Sequence, residues 1–188
     1  MAKRISVFGG SSPKPGSKAY QQAYQLGKLL GEAGYTVLTG GYMGTMEAVS
    51  HGAAECGVHV IGVTTDEIEN WRSEGPNPWV QEELRSKTFR DRLNTLVDDC
   101  DAAIALPGGI GTLLEICLTW NLMTINVLET KPLILVGEAW QDVMTTFIKA
   151  LGDYVPLESR EYIAYAPEPK SALDLLSYFS GSCAEQTE

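Results

Sequence analysis

Short apolar runs and longer stretches of three- and four-residue apolar spacing alternate along this chain from Arg4 onward. Runs rich in β-branched and apolar residues read as strands, whereas spacing at i, i+3 and i+4 reads as a helix with one buried face. The strand-like runs are Arg4-Ile5-Ser6-Val7-Phe8, Tyr35-Thr36-Val37-Leu38-Thr39, Val58-His59-Val60-Ile61-Gly62-Val63, Ala102-Ala103-Ile104-Ala105-Leu106 and Pro132-Leu133-Ile134-Leu135-Val136. Tyr162-Ile163-Ala164-Tyr165 is a sixth, expected at a sheet edge. Helices are predicted over 18–33, 45–55, 80–98, 113–127, 139–151 and 169–179. In the first of them Ala23, Leu26, Leu29 and Leu30 share a face, and Gly34 stands where a helix stops. Residues 64–78 read as one long acidic loop containing Trp71 and broken by Gly75-Pro76-Asn77-Pro78, the kind of segment that forms a lid or binding loop.

Strands alternating with helices at this spacing imply βαβ units and therefore a parallel sheet with right-handed crossovers. The expected fold class is α/β: a single Rossmann-like domain over residues 1–180, its sheet flanked by helices on both faces. A polar tail, 181–188, is expected to be disordered. The run 102–106 has no polar alternation, which marks a strand buried on both faces.

Three of these strands end in small-residue turns: Gly9-Gly10-Ser11-Ser12, Gly40-Gly41-Tyr42-Met43-Gly44 and Pro107-Gly108-Gly109. In open parallel sheets ligands bind beyond the carboxyl ends of the strands, so the coincidence points to a site. Glycine lets a ligand approach the backbone, and the first N–H groups of the helix after Gly109 suit an anion. The candidate phosphate-binding residues are Gly10, Ser11, Gly40, Gly41, Gly44, Pro107, Gly108, Gly109, Gly111 and Thr112. None of the turns has the Gly-x-Gly-x-x-Gly spacing of dinucleotide folds, and no Gly-x-x-x-x-Gly-Lys-Ser/Thr occurs. Thr112-Leu113-Leu114-Glu115 fits a capping box, with Glu115 reaching back to the cap. It also fits a carboxylate held at the mouth of the site, and the two roles are compatible. On the helix predicted over 80–98, Arg85 and Arg92 are spaced to share a face, while Lys87 and Arg90 read as solvated.

Composition narrows the partners. A net charge of −10 over 188 residues argues against nucleic acid and anionic membranes, so an anionic ligand must be held by local donors. The stretch near the N-terminus has no signal-peptide core, and no apolar run reaches membrane-spanning length. Four scattered cysteines without a Cys-x-x-Cys pair fit free thiols in a cytoplasmic protein. His51 and His59 lack partners at metal-ligand spacing, and no Ser–His–Asp or Cys–His pairing emerges.

Pro107-Gly108-Gly109-Ile110-Gly111-Thr112-Leu113-Leu114-Glu115 resembles the Pro-Gly-Gly-x-Gly-Thr-x-x-Glu signature of the LOG (Lonely Guy) family, which hydrolyses cytokinin nucleoside 5′-monophosphates. Arg92, fifteen residues before Pro107, falls where that family carries an arginine. Val7 to Ser12, Gly40 to Ala48, Val60 to Val63 and Thr119-Trp120 are similar in place, so the resemblance spans about Arg4 to Phe179. The family's Arg-Lys pair reads Arg92-Leu93 here and its Glu-Glu reads Leu114-Glu115. The resemblance implies phosphoribohydrolase activity with Glu115 and Arg92 as catalytic residues, no metal or cofactor, and a homodimer. The contact is expected on the helix bearing Leu118, Leu122 and Met123. The same fold is implied for molybdenum cofactor carriers, which bind a phosphorylated pterin without turnover.

Overall fold

The computed structural model describes residues 2–72 and 75–182. Seven parallel strands form one sheet: β1 (Arg4–Phe8), β2 (Thr36–Thr39), β3 (Val60–Thr65), β4 (Glu82–Ser86), β5 (Ala102–Ala105), β6 (Leu133–Val136) and β7 (Ile163–Ala166). Their order is β4-β3-β2-β1-β5-β6-β7. The chain thus builds outward from β1 in one direction, returns to the centre, and builds outward from β5 in the other. Registers such as Val7↔Thr39 and Val7↔Ile104 hold the carboxyl ends of β1, β2 and β5 level with one another.

Side-chain alternation sorts the core into two layers. Ile5, Val7, Val37, Val60, Ile104 and Ile134 face one way, against α1 (Lys18–Glu32), α2 (Thr45–Glu55) and α8 (Pro169–Ser182). Phe8, Val63, Ala103, Ala105, Leu133 and Leu135 face the other, against α4 (Phe89–Asp98), α5 (Ile110–Thr124) and α6 (Glu138–Leu151). β5 is buried on both sides, as its unbroken apolar run predicts, and so is β6. α1 opens on Ser17, whose side chain accepts from the Tyr20 N–H, and its buried stripe includes Tyr20, Ala23, Leu26 and Leu30. Gly27 lets it lie directly on α2, because a Cβ there would stand 2.1 Å from the Val49 carbonyl oxygen.

The structure corrects several expectations. The helix predicted over 80–98 is a strand followed by a helix: β4 comes first, and α4 starts only after Thr88, which caps the Asp91 N–H. Glu82-Glu83-Leu84-Arg85 has poor strand propensity, but β4 is an edge strand, where charged residues are tolerated and guard the open side. Arg85 therefore shares no helix face with Arg92. The loop expected over 64–78 holds regular structure in its first part, where β3 runs on through Thr65 and α3 (Asp66–Arg72) follows at once, and residues 73–74 lie outside the described residues. Tyr162–Tyr165 was expected as an edge strand, and β7 takes that place beside β6. α8 includes Gly181 and Ser182, two residues expected in the tail, and 183–188 lie outside the described residues. α7 (Leu157–Arg160) is a single turn after a 3-10 turn at Gly152–Tyr154. Among the described residues no helix is long and apolar enough to cross a membrane.

The helix face proposed for self-association also changes. Met123 is fully buried, and Leu118 and Leu122 pack against the core. The exposed apolar side chains include Leu114 on α5 and Val143 and Phe147 on α6, with Tyr154 beyond them.

Candidate functional site

Because the direction of building reverses between β1 and β5, their helices leave on opposite faces and open a crevice beyond the strand ends. The three glycine turns meet there. The Gly10 N–H donates to the Pro107 carbonyl at 3.3 Å, joining the turns after β1 and β5. The Thr45 N–H and hydroxyl both donate to the Gly10 carbonyl, at 2.9 and 3.0 Å, joining the turn after β2.

The glycines divide by what surrounds them. A Cβ on Gly108 would stand 2.2 Å from Thr112 Oγ1, and one on Gly40 would stand 2.1 Å from Arg92 Nη2. Gly44 adopts φ +74°, with the backbone of Gly10 and Ser11 within 2.6 Å of where its Cβ would be. These positions are small so that the turns and Arg92 can pack. Gly109 and Gly111 have no atom within 4 Å of that position, and both border an open pocket of about 420 Å³.

Of the residues singled out in the sequence, Gly10, Ser11, Gly109, Gly111, Thr112, Arg92 and Glu115 line this pocket. Gly40, Gly41, Gly44, Pro107 and Gly108 are absent from its lining; they shape the wall from behind. The capping box does not form. α5 begins at Ile110 with Gly109 as its cap residue and no side-chain cap, which places Thr112 and Glu115 inside the helix. The opening N–H groups of α5 therefore keep their capacity for an anion at the pocket wall.

Arg92 reaches the pocket floor from α4. Its Nε donates to the Val63 carbonyl at 2.7 Å and its Nη2 to the Gly40 carbonyl at 3.0 Å. Its guanidinium carbon lies 5.7 Å from the centre of the Tyr42 ring. Tyr42 is fixed in turn: its hydroxyl donates to the Thr65 carbonyl and accepts from the Thr65 N–H. Asn77 clamps the same turn by donating through Nδ2 to the Gly41 and Tyr42 carbonyls, each at 3.0 Å. Glu115 is buried beside this arrangement. Burial pushes its carboxyl up to about 7, with the positive charge of Arg92 acting in the opposite direction. A carboxyl so placed is half-ionised near neutral pH and can accept a proton there.

Tyr42 and Met46 beside the second turn, Ile68 on α3 and Phe89 at the start of α4 also line the pocket without having been singled out as site residues, and Trp71, expected in a lid or binding loop, lines it from α3. The three-residue spacing of Ile68 and Trp71 was the available signal for α3. Arg85 holds that helix against β4. Its Nε donates to Asp66 at 2.9 Å and its Nη2 to Glu69 at 2.6 Å. Glu67 accepts from the Phe89 N–H at 2.7 Å. Neither histidine lines the pocket: His51 stacks on Trp79 at 3.8 Å and meets Glu55, and His59 meets Glu82.

An all-parallel sheet whose glycine turns close over a buried arginine–glutamate pair at its switch point defines a class, and the chain belongs to the SLOG cluster4 family, which it matches over residues 2–159. Within that class its sequence is similar to the cytokinin riboside 5′-monophosphate phosphoribohydrolase LOG2 of Arabidopsis thaliana, with 33% identity over 94% of this chain and 84% of that protein. It is also similar to the probable cytokinin riboside 5′-monophosphate phosphoribohydrolase LOGL5 of rice, Oryza sativa subsp. japonica, at 36% identity over 93% of this chain and 70% of that one. Among solved structures it resembles the molybdenum cofactor binding protein of the phototrophic bacterium Rippkaea orientalis. That match has a TM-score of 0.73 and 25% identity, and covers 95% of this chain and 97% of the other. The resemblance read from the motifs therefore holds for the family and for the α/β fold.

Proposed function

We propose that this protein hydrolyses the N-glycosidic bond of a nucleoside 5′-monophosphate, AMP or an N6-modified AMP, giving free base and ribose 5-phosphate. The observation that carries the reading is the buried Glu115, set beside Arg92 in a pocket whose wall is the uncapped start of α5. The phosphate is held by backbone N–H groups between Gly109 and Thr112, with Gly10 and Ser11 across from them. Arg92 is the only cationic side chain lining the pocket among the described residues, which suits one phosphate better than a chain of them. As the C1′–N bond breaks, positive charge develops on the ribose, and the Glu115 carboxylate stabilises it. Water adds to C1′ and its proton passes to Glu115, the departing base takes a proton from solvent, and Glu115 then releases its own to solvent. Arg92 opposes the effect of burial, favouring the ionised form of Glu115, and orients the ribose. Similarity to proteins named as phosphoribohydrolases supports this chemistry.

Similarity to a molybdenum cofactor binding protein favours a second reading, in which the same anion site retains a phosphorylated pterin without turnover. Incubation with a panel of nucleoside monophosphates, assayed for ribose 5-phosphate, separates the two. Release of ribose 5-phosphate selects the enzyme, and none from any monophosphate selects the carrier.

Gly109→Val tests the anion site common to both. The space around Gly109 admits a side chain without disturbing the fold. The variant should unfold at the wild-type temperature yet bind AMP at least about tenfold more weakly in calorimetry, because the branched side chain stands where the phosphate must sit. Unchanged affinity refutes the placement.

We propose further that two copies of this chain pair through a surface other than the one bearing Leu118, Leu122 and Met123. Cys117 of α5 and Val143, Phe147 and Tyr154 beyond it are exposed around an apolar groove of about 440 Å³, and Leu114 is exposed on the same helix as Cys117. A stable pair would bury on the order of 2,000 Å² in total. Solution scattering at micromolar protein should give twice the chain's mass, and a monomeric mass removes the proposal.

A further inference from the structure

Gly75-Pro76-Asn77-Pro78 reads from the sequence as the break in a long loop, with no role for Asn77. In the structure Asn77 is only 8% exposed, although it lies in the segment connecting α3 to β4. A buried amide needs a partner for each of its polar groups. Pro78 biases Asn77 toward extended backbone and has no N–H of its own. The Trp79 N–H is the next donor, and it donates to Asn77 Oδ1 at 3.1 Å. That bond decides which way the amide faces. Nδ2 is turned to the Gly41 and Tyr42 carbonyls, while the Asn77 N–H donates to the Gly41 carbonyl at 2.7 Å. The reversed amide would set its oxygen against two carbonyl oxygens.

The segment that carries Asn77 is itself anchored. The Gln81 N–H donates to the Val60 carbonyl at 3.0 Å, and the Trp79 ring stacks on His51 of α2. Val80 packs over Gly62, where a Cβ would stand 2.7 Å from its Cγ2. The turn that Asn77 grips makes two contacts with Arg92: the Gly40 carbonyl accepts from Nη2, and the Tyr42 ring lies beside the guanidinium. Gly41, between them at φ +78°, is the pliable joint of that turn.

We infer that Asn77 is a positioning residue for the candidate site: by gripping the Gly41 and Tyr42 carbonyls it fixes the Gly40 carbonyl and the Tyr42 ring that hold Arg92 beside Glu115. The inference rests on the reading of Arg92 and Glu115 as the reacting pair for a nucleoside monophosphate. Asn77 does not line the pocket, so its influence passes through Arg92. Buried carbonyls that lose these donors draw the turn toward other partners, and Gly41 lets it move. The Val63 carbonyl still holds Arg92 Nε, so the effect is smaller than loss of the arginine.

The test compares Asn77→Ala with Asn77→Leu, which fills a similar space without donors. Each should lower kcat/KM for AMP about tenfold, through kcat and KM together. The second readout is the Glu115 carboxyl, followed by carbon-13 NMR in glutamate-labelled protein and assigned by its absence in Glu115→Gln. Arg92 is the charged group that favours its ionised form. Both variants should therefore raise the pH at which Glu115 titrates, in the direction of Arg92→Ala. In an Arg92→Ala background, Asn77→Ala should move that pH no further. Loss of thermal stability with Glu115 titrating as in wild type overturns the inference, and so does an Asn77→Leu protein with wild-type kcat/KM. If neither change is tolerated by the fold, Asn77→Ser is read in the same way. Failure of the enzymatic reading looks different: wild-type protein releases no ribose 5-phosphate, yet the Glu115 titration still responds to Asn77.

Discussion

Glu115→Gln should lower turnover on a nucleoside monophosphate by roughly a hundred- to thousandfold while weakening ground-state binding only slightly. The carboxylate meets charge that exists in the transition state and not in the bound substrate, so its loss falls on kcat rather than on affinity. A second consequence has the opposite sign. Burial raises the Glu115 carboxyl from its ordinary value of 4.5 to about 7 in the folded protein. The fold therefore favours the protonated form, and this contribution to stability is complete below pH 4.5 and is lost as pH rises through 7. The cost of ionising Glu115 in the fold amounts to about 3 kcal/mol above neutrality. Glutamine carries no such cost. The variant should match wild type in denaturant unfolding near pH 4.5 and exceed its stability by up to that amount at pH 8. In wild type, kcat/KM should rise as pH passes through 7 and then level off, as the carboxylate becomes available. A variant that hydrolyses as fast as wild type removes Glu115 from the chemistry, and identical stability at pH 8 contradicts its buried charge.

Gly40→Ala should reproduce much of the defect of Arg92→Ala, although Gly40 does not line the pocket. The new methyl would stand 2.1 Å from Arg92 Nη2 and 2.6 Å from Met46 Sδ, so the guanidinium must leave the Gly40 carbonyl. Loss of such a buried, charge-assisted hydrogen bond costs about 1.5–3 kcal/mol, or roughly ten- to hundredfold in kcat/KM if Arg92 acts on substrate. Arg92→Ala should lose about a hundredfold or more, in both binding and turnover, because it removes the cation itself. Both changes weaken the positive charge that opposes the rise in the Glu115 carboxyl, so the pH at which activity appears should move upward. The double variant should be little worse than Arg92→Ala, because the two substitutions act through one group. Additive losses in the double variant would show that Gly40 has a separate role.

These two residues also show how unevenly the site can be read from the chain. Arg92 and Glu115 lie far apart in sequence and are legible as a pair only through the spacing of a family motif. Spacing alone leaves Glu115 both a helix-cap role and a place at the mouth of the site. The cap depended on the helix starting at Thr112, and α5 starts earlier because Gly109 and Ile110 already adopt the geometry of a helix entry. Gly40, read as a ligand-binding glycine, makes room for an arginine on a distant helix, and nothing local to residues 40–44 announces that.

The strand and helix periods, the three small-residue turns and the order of most elements were set by local sequence. Alternating burial, chain stiffness and turn geometry act over a few residues, so their imprint is local too. The unbroken apolar run of β5 sufficed to predict burial on both faces. What required the assembled sheet was whatever depends on neighbours distant in sequence. Glu82-Glu83-Leu84-Arg85 becomes a strand because the edge of β3 offers it hydrogen bonds and Arg85 finds Asp66 and Glu69 across the gap. The acidic stretch after β3 becomes a helix pinned over the pocket by that same arginine. The raised proton affinity of Glu115 likewise has no source in its own sequence. It arises because α5 packs the carboxyl away from water beside Arg92 on another helix, and desolvation is a property of the surroundings that only the tertiary structure supplies.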